Sequence, residues 1–118
     1  MKRFALLLIM IISSVKFSAQ SDYYMQQARL YQREAEYYTK EAQGYDREVD
    51  YYMRQAQGYL REVEYCSKHK KFDLVRSYQR RAKDATERAE SYKRKGDNAR
   101  DRAKSYMRKA EVALQKAK

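Results

Sequence analysis

Residues 23–64 read YYMQQARLYQREAE, YYTKEAQGYDREVD and YYMRQAQGYLREVE, three consecutive copies of one fourteen-residue unit. Fourteen residues are two heptads, about four turns of α-helix, so every copy returns the same face to the same side. One row is small: Ala28, Ala35, Ala42, Val49, Ala56 and Val63, taken as position a. A second row, three residues on, is tyrosine: Tyr31, Tyr38, Tyr45, Tyr52 and Tyr59, position d. This 4-3 spacing is the signature of a helix that packs along a seam.

The pattern returns downstream as YQRRAKDATERAES (78–91), YKRKGDNARDRAKS (92–105) and YMRKAEVALQKAK (106–118), now mostly with alanine in the seam. Between the two halves the heptads fail, from Cys66 to Leu74. Ser67–Phe72 is the expected turn, with Asp73 as N-cap of a second helix. The segment KKFDLVRSYQRRA (70–82) resembles the turn and second helix of a tetratricopeptide repeat, although the glycine of that family's turn is missing. The resemblance implies helix–turn–helix.

Charge decides how the two helices meet. The g positions of the first half are Gln27, Glu34, Glu41, Glu48, Gln55 and Glu62. Those of the second half are Arg81, Arg88, Lys95, Arg102, Lys109 and Lys116. In an antiparallel pair g faces g, so acid meets base. In a parallel dimer of one continuous helix, Glu41 would face Asp46, Arg88 would face Lys93 and Lys95 would face Arg100, all of like charge. The expected fold is therefore all-α: a long antiparallel two-helix coiled-coil hairpin with an Ala/Tyr core. Its helices are predicted at about 22–67 and 73–117, with the turn at about 68–72, each roughly 65–70 Å long at 1.5 Å per residue. Folding back sets Tyr31 against Ala110, Tyr38 against Ala103, Tyr45 against Gly96, Tyr52 against Ala89 and Tyr59 against Ala82. Ala35, Val49 and Val63 meet Tyr106, Tyr92 and Tyr78, so each ring faces a small residue.

Residues 1–19 read differently. Lys2 and Arg3 precede the apolar run Ala5–Ile12, and Ala19 precedes Gln20. This is the layout of a secretory signal peptide with cleavage near Ala19/Gln20, and it resembles bacterial signals ending in Ser-Ala-Gln. Phe17 stands where a small residue is preferred, and a retained anchor is the alternative, although the run is short of the ~20 residues a membrane span needs. The expected location is secreted or periplasmic. Residues 20–118 form the remaining domain, with 24 Lys+Arg against 16 Asp+Glu, net +8. Residues 20–65 carry six basic and nine acidic side chains; residues 66–118 carry 18 basic and seven acidic. There is no proline and only three glycines, which favours helix nearly throughout.

No catalytic constellation, metal-ligand spacing or phosphate-binding loop is legible, so neither an enzyme nor a cofactor is expected. His69 is the single histidine. Cys66, also single, either closes the hairpin end as a small hydrophobe or forms an intermolecular disulfide. Two surfaces are left over. The c row Tyr23, Tyr37, Tyr51 and Tyr65, with Leu30, is either tyrosine lying along its own helix or an interaction surface for another helix or a polysaccharide. Its rings recur at about 21 Å along the helix. Met25, Met53 and Leu60 at position e widen that face. The second surface is cationic: Arg80, Lys83, Lys93, Arg94, Lys104 and Arg108, which suits solubility or attraction to anionic envelope polymers, lipid headgroups or nucleic acid.

Three functional expectations follow. The first is a small exported structural or interaction protein that forms a homodimer or docks another protein partner. The second is a cationic binder of an anionic polymer or membrane surface. The third is a periplasmic holdase-type chaperone, because the long basic arms resemble those of the Skp chaperone family, whose trimerising β-rich part has no counterpart here. No small-molecule substrate is evident.

Overall fold

The computed structural model describes residues 19–118 and is all-helical, with two long helices. Helix α1 spans Ala19–Lys68 and helix α2 spans Phe72–Ala117. The signal-peptide reading lies outside the described residues except for Ala19, the first residue of α1. By contact the chain forms two compact units. Among the described residues, the first joins 19–40 with Ala99–Lys118, and the second is Glu41–Asn98.

In the first unit the two helical segments run antiparallel. Tyr24 lies beside Lys116, Tyr31 beside Lys109, and Tyr38 beside Arg102, so numbers rise on one side as they fall on the other. Its buried seam is alanine: Ala28 and Ala35 from α1, Ala99, Ala103, Ala110, Ala113 and Ala117 from α2. Tyr106 sits between Tyr31 and Tyr38, with ring centroids at 6.2 and 5.8 Å, which places it alongside Ala35. At the end of this unit Met25, Leu114, Ala28, Ala113 and Ala117 form an apolar cluster, with Tyr24 and Tyr31 packed on it. Met25 is only 2% exposed, so it belongs to the core rather than to an outer sticky face. Ser21 closes the cluster by donating its hydroxyl to the carbonyl of Ala117 at 2.5 Å, capping one of the last free carbonyls of α2.

The second unit repeats the scheme around a turn. Ala42 and Ala56 face a seam of Ala82, Ala85, Ala89 and the buried Gly96. Tyr92 lies between Tyr45 and Tyr52 at 6.1 and 5.7 Å, the place opposite Val49, and Tyr78 meets Tyr59 at 6.2 Å. Rings of the two helical segments thus touch one another in each unit. The ring-to-ring contacts were not anticipated from layer matching. Mid-helix threonines are satisfied locally: Thr39 and Thr86 donate to the carbonyls of Ala35 and Ala82, each four residues back.

The turn is three residues long. Lys71 N–H donates to the Cys66 carbonyl at 2.8 Å and Lys70 N–H to the Ser67 carbonyl at 3.3 Å. These six-to-one and five-to-two bonds are a Schellman ending, which needs a left-handed residue at the second-last place. Lys70 takes that place with φ 57°, without glycine. Helix α2 then starts at once. Leu74 and Val75 both donate to the carbonyl of Lys71, so Lys71 occupies the N-cap position. Asp73, expected as the cap, is instead in the first turn, where its charge still suits the positive helix end.

Two predictions follow from the backbone. Lys70→Gly relieves a left-handed lysine and raises stability by about 0.5–1 kcal/mol, read as a higher urea midpoint; an unchanged midpoint contradicts the strained ending. Among the helical glycines, a Cβ at Gly44 would meet only the Arg47 guanidinium at 3.9 Å. Gly44→Ala should therefore gain about 0.5–1 kcal/mol, while Gly96→Leu in the seam should lose about 1–3 kcal/mol. Equal gains from both would reverse the assignment of faces.

Candidate functional site

Because the seam is alanine, the d-row tyrosines are only half-buried; their rings lie at its edge. There they meet the g row of α2. In the first unit Lys116 stands over Tyr24 at 5.8 Å, Lys109 over Tyr31 and Tyr106 at 5.9 and 5.0 Å, and Arg102 over Tyr38 at 5.5 Å. In the second, Lys95 stands over Tyr92 at 5.0 Å, Arg88 over Tyr52 at 5.7 Å, and Arg81 over Tyr78 at 5.4 Å. Cation–π contacts occur about once per 70–80 residues in folded proteins. All six g residues of α2 make one, so the contact belongs to the repeat and is no coincidence.

The expected acid–base bonding of the g rows is corrected by this arrangement. Within each unit no ion pair joins the two g rows; the bases cover rings, and Glu34, Glu48 and Glu62 remain exposed. The reason is reach. A lysine or arginine stem lies along the helix edge and brings its charge over the nearest ring face, where the apolar stem is also covered. The signal was partly present in the sequence: Tyr24, Tyr31, Tyr38 and Tyr52 each have a basic g residue over them from the facing helix, whereas Arg81 and Lys95 cover tyrosines three residues back in their own helix. Glu64–Lys68 does form its i,i+4 pair at 3.4 Å, in solvent.

Outside this ladder stand the c-row tyrosines. Tyr23, Tyr37 and Tyr51 are 58%, 61% and 54% exposed. Each touches its d-row neighbour edge-on, with centroids at 5.1–5.2 Å from Tyr24, Tyr38 and Tyr52. The motif is thus a triplet, outer ring to inner ring to cation, present in both units. Leu30 is exposed beside the first two, and Met53 and Leu60 are exposed in the second unit. Tyr51 also accepts a hydrogen bond from Gln55 Nε2 at 2.8 Å, so part of its surface lies along its own helix. Tyr65 differs. The His69 ring packs on it at 4.3 Å and Lys71 stands over it at 5.7 Å, and it remains 52% exposed.

Cys66 is 2% exposed, and its carbonyl anchors the turn. As folded, the thiol is buried and free. Arg80, Lys83, Lys93, Arg94, Lys104 and Arg108 are all exposed. Among the described residues no group of acids, histidine and cysteine is arranged to hold a metal ion, and no helix is long and apolar enough to cross a membrane.

A groove of about 420 Å³ lies on the first unit. Tyr23, Tyr24 and Tyr31 line it from α1, and Arg108, Lys109 and Lys116 line it from α2. The outer tyrosine row and the cationic surface, separate in the sequence reading, meet there.

The ring–cation ladder makes a direct prediction. In a double-mutant cycle, Lys109→Gln and Tyr31→Leu should couple by about 0.5–1 kcal/mol, whereas Lys109→Gln and Glu34→Gln should couple by less than about 0.3 kcal/mol. The reverse order, from urea denaturation, would restore the ion-pair reading.

No protein-family model, curated protein or solved structure matches this chain.

Proposed function

We propose that this is a small exported structural or interaction protein: an antiparallel helical hairpin that self-associates or docks a protein partner through its outer tyrosine row, without catalysis. The observation that supports it is the allocation of side chains. Apart from Met25 and Leu114, the buried apolar positions are alanine and one cysteine, while tyrosine, leucine and methionine stand outside. An alanine seam removes little apolar area from water, at about 25 cal/mol per Å². Large apolar side chains left on a surface are the usual mark of a protein contact.

In each unit the exposed rings are held rather than free. The edge contacts to Tyr24, Tyr38 and Tyr52 fix the outer rings, so a partner loses less side-chain entropy on docking. Tyrosine also suits a contact that forms and exists partly wet, because its ring is apolar and its hydroxyl is not. A second copy of this chain supplies the matching surface without any further component, and two-fold pairing of equal patches is the commonest assembly.

The test is mass. Light scattering after size-exclusion chromatography should give an oligomer that persists at high salt. Tyr37→Ser with Tyr51→Ser should keep the circular dichroism of the parent and lower the mass. A monomeric parent that also captures no protein partner, or a double variant of unchanged mass and partners, would overturn the reading.

A further inference from the structure

We propose that the groove on the first unit is a subsite for an acidic polysaccharide, with tyrosine faces taking the sugar rings and Arg108, Lys109 and Lys116 taking the carboxylates. This goes beyond self-association and does not require it. It gives the basic surface of α2 a defined place and a ligand class.

Three observations carry the inference. The first is charge. Every residue lining the groove is neutral or basic; Gln27 and Ser105 add hydrogen-bonding groups, and no carboxylate is present. Such a concavity favours an anion. The second is ring presentation. Tyr23 meets Tyr24 edge-to-face at an interplanar angle of 75°, an arrangement that occupies one ring face of the pair and leaves the others uncovered by this contact. Tyr23 remains 58% exposed and offers a face to a ligand, while Tyr24 and Tyr31 are already covered in part by Lys116 and Lys109. The third is form. At about 420 Å³ the groove has the size of a small-ligand site, yet it is partly open to solvent, whereas small-molecule sites bury most of their ligand. A partly open, basic, ring-lined groove suits a segment of a polymer that continues beyond it. Sugar rings present flat apolar C–H faces to an aromatic ring, and uronate carboxylates lie in the same plane as the hydroxyl groups that Gln27 and Ser105 would meet.

Lys109 and Lys116 already rest on tyrosine rings, and a carboxylate bound beside them keeps both contacts. The cation is shared between the ring face on one side and the anion on the other. Arg108 has no ring beneath it and is exposed, so it offers a two-pronged donor to a carboxylate.

The test is calorimetric titration of the purified protein with a galacturonic acid tetrasaccharide, a neutral glucose tetrasaccharide and a short thymidine oligonucleotide. The acidic sugar should bind, with log affinity falling against log salt at a slope of roughly 2. The neutral sugar should bind at least about tenfold more weakly. Tyr23→Ala and Arg108→Gln, both at exposed positions, should each weaken the acidic sugar by about fivefold or more. Lys40→Gln with Arg54→Gln, exposed bases outside the groove, should change it by less than about twofold. Any of four results overturns the proposal. They are equal binding of the neutral sugar, tighter binding of the oligonucleotide, an equal loss in the Lys40/Arg54 variant, and an unchanged affinity in Tyr23→Ala.

Discussion

Alanine at the seam is the constraint on which the other features depend. A methyl group on each side leaves too little space between the paired segments to enclose a phenol ring. The tyrosines of the d rows must therefore lie at the edge, one side against alanine and the other facing outward, as their half-buried state shows. A ring in that position needs a cover that is apolar along its length and favourable to a negative π-face at its end. Lysine and arginine meet both needs; glutamate meets neither, because its charge is repelled by the ring face. The basic character of α2 is in part a consequence of the alanine seam. A core of leucine would enclose itself and would place no such demand on position g.

The arrangement also explains how long helices persist with so little buried bulk. Alanine is the best helix former, and neither helix contains proline. Threonines within the helices return their hydroxyls to the backbone, and no buried side-chain nitrogen or oxygen among the described residues lacks a partner. Packing needs to supply only the preference for pairing. It supplies it in many small contacts: methyl on methyl in the seam, ring on ring between layers, cation on ring at the edge. Among the described residues, the larger apolar side chains Met25 and Leu114 gather in one buried cluster, and the Ser21 bond to Ala117 fastens it.

Much of this was legible in the sequence, because periodic features survive translation into structure. The two helices, the break near residue 70 and the small rows followed from heptad spacing alone. What the spacing did not reveal are features without a period. Lys71 rather than Asp73 caps α2 because the Schellman ending fixes the path of the chain, and that ending is a matter of one left-handed residue. Met25 sits at position e, nominally outside, yet it is buried because Leu114 and the last alanines of α2 close around it. The outer tyrosines carried their ambiguity into the structure. Tyr65, though exposed, is flanked by His69 and Lys71 of its own turn, whereas Tyr23 lines a groove that only the second helix could complete.

The mixture of lysine and arginine in the g row of α2 bears on what the acids of α1 do. An ion pair with fixed two-pronged geometry selects arginine, and lysine is a poor replacement there. A ring face accepts either cation, and the row accordingly uses both: Arg88, Arg102, Lys109 and Lys116 stand over tyrosines of α1, while Arg81, Lys95 and Lys109 stand over tyrosines three residues back in α2. The exposed Glu34, Glu48 and Glu62 then act at longer range. Exposed charges interact without direct bonding over about a Debye length, ~8–10 Å at ordinary salt. The effect of these acids is to favour the pairing that brings acid toward base and to oppose those that bring base to base. The contacts that hold the edge and the charges that select the partner are thus carried by different atoms. Salt should weaken the selection before it weakens the contacts, because a cation resting on a ring is shielded from solvent on one side and an exposed carboxylate is not.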